Sequence, residues 1–112
     1  MKNYFFVILK TGHAETDDKE KVASAFRGHL DNISAMVKNN KLIVAGPFGE
    51  NDLNYRGLYI FDVHALEDLN ALLETDPAIK AGYLEPEIIQ WYGSAALPMY
   101  LKYSERITLK DF

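Results

Sequence analysis

The stretch Tyr4-Phe5-Phe6-Val7-Ile8-Leu9 is an unbroken run of aromatic and aliphatic residues that stops at Thr11-Gly12. Such a run, ended by a glycine, predicts a strand in the middle of a sheet, covered on both faces. The rest of the chain has to supply that cover. Asp17-Asp18 places carboxylates where a helix N-terminus favours them. Val22, Phe26, Leu30, Ile33 and Val37 then recur at spacings of four, four, three and four, which is one face of a helix ending at Asn39-Asn40. Leu42-Ile43-Val44-Ala45 predicts a second strand that breaks at Gly46-Pro47-Phe48-Gly49. The third, Gly57 to Val63, follows a short connection, so the two should pair antiparallel. Leu66, Leu69, Leu72 and Leu73 predict a second amphipathic helix. Asp76-Pro77 ends it, because the residue before a proline is pushed out of the α region. A turn from Pro77 to Ala81 leads to a fourth strand, Ile88-Ile89-Gln90-Trp91-Tyr92.

The order β-α-β-β-α-β is the split βαβ pattern of a ferredoxin-like α+β fold, in which both helices cover one face of a four-stranded antiparallel sheet. The 112 residues suit a single domain over residues 1–95 with a C-terminal tail over 96–112. The second face of the sheet has no helix to cover it, and a large bare apolar face predicts a second subunit packed against it. A homodimer through the open sheet face is therefore expected. Leu97, Met99, Tyr100, Leu101 and Tyr103 make the tail too apolar for a free end, so it should pack on the domain or on its dimer partner. Trp91 and Tyr92 point to opposite faces, one toward the core and one toward the open side.

A net charge of −4 with dispersed lysines and arginines argues against a nucleic-acid partner, which needs clustered cations. The chain has no cysteine, which excludes thiol catalysis and cysteine-ligated metals. Its three histidines lack the i, i+4 pairing of a helical zinc site, and neither a metal nor another cofactor is expected. The N-terminal apolar run is too short for a signal-peptide core or a membrane span, so a soluble, unexported, cytoplasmic protein is expected.

Two residues carry the chemistry. At 100° per residue, His29 lies about 50° from the centre of the stripe made by Val22, Phe26, Ile33 and Val37, and so faces the sheet. It is either a core-margin histidine satisfied by a carbonyl or water, or a pocket base able to take and return a proton near neutral pH. A base of that kind needs a carboxylate to orient it, and Asp76 is the candidate. Thr75-Asp76-Pro77 is also the pattern of a helix start with Asp as N-cap. Both roles are open to one carboxylate, because one oxygen can cap while the other accepts from an imidazole N–H. Gly46-Pro47-Phe48-Gly49 is either the stop of a strand or a loop whose bare backbone approaches a ligand, and it lacks the residues of a phosphate loop. His13 and His64 read as loop or helix-start residues, and Arg27 and Arg56 as isolated cations of the kind usually solvated.

Gly28-His29-Leu30, then Lys41-Leu42-Ile43-Val44-Ala45-Gly46-Pro47-Phe48-Gly49, Arg56-Gly57, Asp76-Pro77-Ala78-Ile79, Ala81-Gly82 and Trp91-Tyr92-Gly93 stand in an order and spacing that resembles the YCII-related (YciI-like) family, over about residues 1–95. The resemblance implies a dimeric ferredoxin-like fold of the α/β-barrel type. It also implies a pocket in which a histidine and an aspartate, here His29 and Asp76, form an acid/base pair. One relative acts as a dehydrochlorinase on a chlorinated hydroxyquinol. Many relatives carry an arginine three residues before the histidine; Phe26 stands there in this chain, and Arg27, one residue later, lies about 100° around the helix.

Two functions follow. One is a cofactor-free lyase, isomerase or dehydrochlorinase using His29 and Asp76, its small organic substrate lined by Phe26, Gly46, Pro47 and Phe48. The other is a non-catalytic dimeric module that binds a metabolite or serves structure. They differ in whether His29 reaches solvent through a cavity.

Overall fold

The computed structural model describes residues 1–101, and Tyr103 with the rest of the tail lies outside them. The first strand, β1 (Lys2–Thr11), is the centre of the sheet, as its composition requires. It pairs with β3 (Tyr55–Phe61) on one side and β4 (Leu84–Gly93) on the other, while β2 (Leu42–Pro47) lies outside β3. All neighbours are antiparallel, and the order β2-β3-β1-β4 is that of a ferredoxin-like sheet. Phe5, Val7 and Leu9 turn to the helix side and Tyr4, Phe6 and Ile8 to the other. The register places Val7 opposite Tyr59, and Tyr59 opposite Ala45 on β2, so the middle of the helix-side face is built around one tyrosine.

The long helix α1 (Lys19–Lys38) begins at Asp18, whose carboxylate accepts from the N–H groups of Glu20 at 3.1 Å and Lys21 at 3.2 Å. Its inward face differs from the expected stripe. Leu30 is 63% exposed, whereas Ala25 and Met36 are buried beside Phe26, Ile33 and Val37. A helix gains only 3.6 residues per turn, so the face that holds Phe26 and Ile33 passes through position 29 and leaves 30 at its edge. The polar His29, not the apolar Leu30, occupies the inward place.

Helix α2 (Leu66–Leu73) buries Leu69 and Leu73. Pro77 to Ala81, expected as a turn, instead contains a one-turn helix, α3 (Pro77–Lys80), with Asp76 as its N-cap. The strands also run further than expected. β4 starts at Leu84 because it pairs along all of β1, and β2 continues through Gly46 to Pro47, opposite Gly57. Proline fits there because β2 is an edge strand. β3 stops at Phe61, two residues short of Val63, where the Asp62 N–H turns to the Lys41 carbonyl.

The second face of the sheet is not wholly bare. Leu97, in a 3₁₀ turn over Leu97–Met99, and Leu101 pack against Tyr4, Ile43 and Ile60, and the Tyr4 hydroxyl donates to the Ser94 carbonyl at 2.6 Å. Ile89 and Trp91 on this face stay 46% and 38% exposed. Tyr92, on the helix side opposite Asn3, does not join the core; it is 65% exposed. Strand alternation assigns a side chain to a face, but the extent of the covering layer decides whether it is buried.

The contact that places α3 is made by a glycine. A Cβ on Gly28 of α1 would stand 2.7 Å from the Cγ of Pro77, so the two helices approach more closely than any side chain at position 28 permits. Gly28→Ala is therefore expected to lower stability by about 1–3 kcal/mol through overpacking, outweighing the gain in helix propensity of at most about 1 kcal/mol. A urea denaturation series checks this. An unchanged or higher midpoint would mean that α3 gives way freely.

Candidate active site

The α1–α3 approach sets residue 29 against residue 76. His29 Nδ1 lies 2.5 Å from Oδ2 of Asp76, the only charged side chain among the buried described residues, at 1% exposure. The other carboxylate oxygen, Oδ1, accepts from the Ala78 N–H at 2.9 Å and, at 3.5 Å, from that of Ile79. The two readings of Asp76 are thus both present in the geometry: one oxygen caps α3 and the other holds the imidazole. A buried carboxylate is costly unless its lone pairs are filled, and three elements contribute the donors.

The third element is β3. Tyr59 is 1% exposed and its hydroxyl lies 3.3 Å from both Asp76 Oδ2 and His29 Nδ1. With the carboxylate taking the Nδ1 proton, the phenol has one good acceptor and donates to Oδ2. Burial, and then the adjacent Asp76 carboxylate, push the Tyr59 phenol far above its ordinary range, so it remains a donor at any ordinary pH. Tyr59 was missed in the sequence. The available signal was that Gly57, Tyr59 and Phe61 share the inward face of β3, and a buried tyrosine needs a partner for its hydroxyl.

With Nδ1 engaged, Nε2 is the nitrogen left to act. It has no hydrogen-bond partner among the described residues, and the His29 side chain is 12% exposed. The ring lies between aromatic neighbours, with Phe26 edge-on at 6.0 Å and Tyr59 roughly parallel at 6.1 Å between centroids. Chemically this is an imidazole held in one tautomer by a carboxylate, able to accept a proton at Nε2 and to be stabilised as the cation.

Two clefts open beside α1. One, of about 290 Å³, lies at the Thr11-Gly12 end of the sheet, with Val22, Phe26, Arg56 and Tyr83 among its walls. The other, of about 550 Å³, runs between α1 and α3, past Lys21, Gly28 and Pro77. Neither is lined by His29 or Asp76; the first reaches Phe26, against which the imidazole packs. Of the residues expected to line a substrate, Phe26 is thus in a cleft wall. Gly46, Pro47 and Phe48 sit exposed at the end of the edge strand, outside both clefts. Phe48 is near Tyr55, with ring centroids 6.1 Å apart.

Elsewhere, His13 makes an exposed contact of 3.3 Å with Glu85, and Arg27 one of 3.7 Å with Glu20. Among the described residues, no three His, Asp or Glu side chains gather as metal ligands would, and no helix is long and apolar enough to cross a membrane.

A four-stranded antiparallel sheet with its helices on one face, and a carboxylate–imidazole–phenol group buried between the layers, defines a ferredoxin-like α+β domain with a candidate small-molecule site. The chain belongs to the YCII-related domain family, whose pattern matches residues 4–92. Among solved structures it is similar to muconolactone isomerase, with 15% identity and a TM-score of 0.67 over 83% of this chain and 92% of that one. It is also similar to 5-chloro-2-hydroxyhydroquinone dehydrochlorinase from Burkholderia phenoliruptrix AC1100, in complex with 2,5-dihydroxybenzoquinone. There the identity is 20% and the TM-score 0.51, over 80% of this chain and 93% of that one. A search of curated proteins finds no match.

Asp76→Ala is expected to cost about 2–4 kcal/mol, the sum of a lost N-cap and a buried Tyr59 hydroxyl left without its acceptor; chemical denaturation measures it. Tyr59 supplies a second check. An unfolded tyrosine ionises near pH 10. Because the folded phenol holds its proton to higher pH, the unfolded state binds fewer protons above about pH 10 and stability falls from there upward. Tyr4, also raised by burial, shares in that fall. Tyr59→Phe should flatten the alkaline slope by its own part, and an unaltered slope would contradict the assignment.

Proposed function

We propose that this chain is a cofactor-independent small-molecule enzyme of the isomerase, lyase or dehydrochlorinase type, with His29 and Asp76 as its acid/base pair. The observation that carries this reading is the arrangement of the ring: Nδ1 bound to a buried carboxylate at 2.5 Å and Nε2 without a partner among the described residues. Isomerisation starts by removing a proton from a carbon next to an electron-withdrawing group, and loss of hydrogen chloride from a chlorinated hydroxyquinol starts by removing a proton from a ring hydroxyl. In the proposed reaction Nε2 takes that proton and Asp76 stabilises the resulting imidazolium. In isomerisation the proton returns to another carbon; in dehydrochlorination the hydroxyl oxygen becomes a carbonyl as the proton passes to the chlorine-bearing carbon, and chloride then leaves that carbon as a second hydroxyl gives up its proton and the ring becomes a quinone. Tyr59 keeps the Asp76 carboxylate in place throughout. The likeness in fold to an isomerase and a dehydrochlorinase supports this class of reaction, and Phe26, which lines a cleft beside the imidazole, is proposed to border the substrate.

The exposed Ile89 and Trp91 support a homodimer through the open sheet face, of the dimeric α/β-barrel type, with the tail against the domain or the partner. Light scattering should give the mass of two chains, and Trp91→Glu should give that of one. A wild-type monomer at micromolar concentration would count against the dimer.

Muconolactone and 5-chloro-2-hydroxyhydroquinone are the first substrates to assay, by absorbance and chloride release. His29→Ala should lower turnover by about 10²–10⁴-fold, the usual worth of general acid–base catalysis, with the circular dichroism spectrum unchanged. Undiminished turnover would reject the role. A second reading, a non-catalytic dimeric binding module, is favoured by one observation: neither cleft includes His29. Nitrogen-15 NMR tests the catalytic reading independently of substrate, because that reading needs the proton on Nδ1 and a bare Nε2 in the neutral ring, and a proton on Nε2 would overturn it.

A further inference from the structure

Arg56, exposed near the start of β3, is the one cation among the described residues in the wall of the 290 Å³ cleft. Its guanidinium lies 5.7 Å from the centroid of the Phe26 ring and makes no ion pair with a carboxylate among the described residues. Glu15 also borders the cleft, and no ion pair joins it to Arg56 among the described residues. The backbone that carries Arg56 is fixed: its carbonyl accepts from the Phe48 N–H at 3.0 Å, and Gly57 beside it is buried opposite Pro47. Phe26, in turn, stands edge-on to His29 at 6.0 Å. A cation, an aromatic ring and an imidazole therefore follow one another from the cleft toward the acid/base pair. The remaining walls combine apolar surface from Ala14, Val22 and Tyr83 with the hydroxyl-bearing Thr11 and Thr16.

We infer that this cleft is a binding site for a small planar organic anion, with its ring on Phe26 and its carboxylate on the guanidinium of Arg56. The volume is at the lower edge of the range of about 300–1,000 Å³ common for ligand pockets, which suits a single ring better than a nucleotide or a peptide. A guanidinium near an aromatic ring pairs a cation with a stacking surface, and it offers a carboxylate two parallel N–H donors. The assignment rests on the proposed function, since it supplies that reading with a substrate class: ring compounds carrying a carboxylate.

The test is a titration of the wild-type protein, followed by amide NMR, with benzoate, benzamide and acetate. Benzoate should shift the amides of Thr11, Gly12, Phe26 and Arg56 and bind at least tenfold more tightly than benzamide, which keeps the ring without the charge, or acetate, which keeps the charge without the ring. Arg56→Gln should lose at least tenfold in benzoate affinity and keep that for benzamide, and Arg56→Lys should recover only part of the loss. Equal binding of benzoate and benzamide, an Arg56→Gln variant with unaltered benzoate affinity, or shifts at residues away from the cleft would each overturn the inference. Failure of proton transfer with intact benzoate binding would thus reject the catalytic reading alone, and failure of benzoate discrimination would reject this one alone.

Discussion

The buried carboxylate of Asp76 is the interaction on which the rest of the structure depends. An ionised group at 1% exposure is tolerable only where hydrogen bonds replace its water, and here the donors come from the first turn of α3, from His29 on α1 and from Tyr59 on β3. Both helices and the middle of the sheet are tied to one side chain. The same requirement explains the closeness of α1 and α3: with Gly28 under Pro77, the imidazole can reach an oxygen that also belongs to the helix cap. Stability and chemistry draw on one group, because the bonds that make the charge bearable also select the tautomer of the histidine.

The two faces of the sheet divide the work. On the helix side, alternation brings Val7, Tyr59 and Phe61 into the core and places a phenol where the carboxylate needs a donor. On the other side, Leu97 and Leu101 cover Tyr4 and Ile60, while Ile89 and Trp91 remain in contact with water. An apolar surface of this kind has a ready use in association. The chemistry-bearing group lies in the other layer, so contacts across the open face and events at His29 act on opposite sides of β1.

Much of the fold was legible from residue patterns. The run from Tyr4 to Leu9 identifies the central strand, Asp18 marks the helix start, and Asp76-Pro77 marks the end of one helix and the beginning of the next. The inward direction of His29 followed from its angle to Phe26 and Ile33. The errors came where a local pattern stood in for a layer that only the whole chain assembles. Leu30 looked like a core residue because it is apolar, and alternation alone promised one of Trp91 and Tyr92 to the core, yet among the described residues Leu30 and Tyr92 stay 63% and 65% exposed and Trp91 38%. Tyr59 was passed over because nothing within its own strand says that a carboxylate from a loop beyond the next helix will arrive at its hydroxyl.

The order of strands and helices, the caps and the candidacy of a histidine and an aspartate are properties of the sequence itself, since periodicity, proline geometry and side-chain chemistry act within a few residues of one another. Three things depended on tertiary structure: the meeting of His29 and Asp76 across 47 positions, the entry of Tyr59 into that group, and the placing of Arg56 over Phe26 at a cleft mouth. Each is a contact between elements distant along the chain. Such contacts are governed by how closely the layers pack, which here depends on a missing side chain at Gly28 and on strand register, and neither quantity can be read from the residues in contact alone.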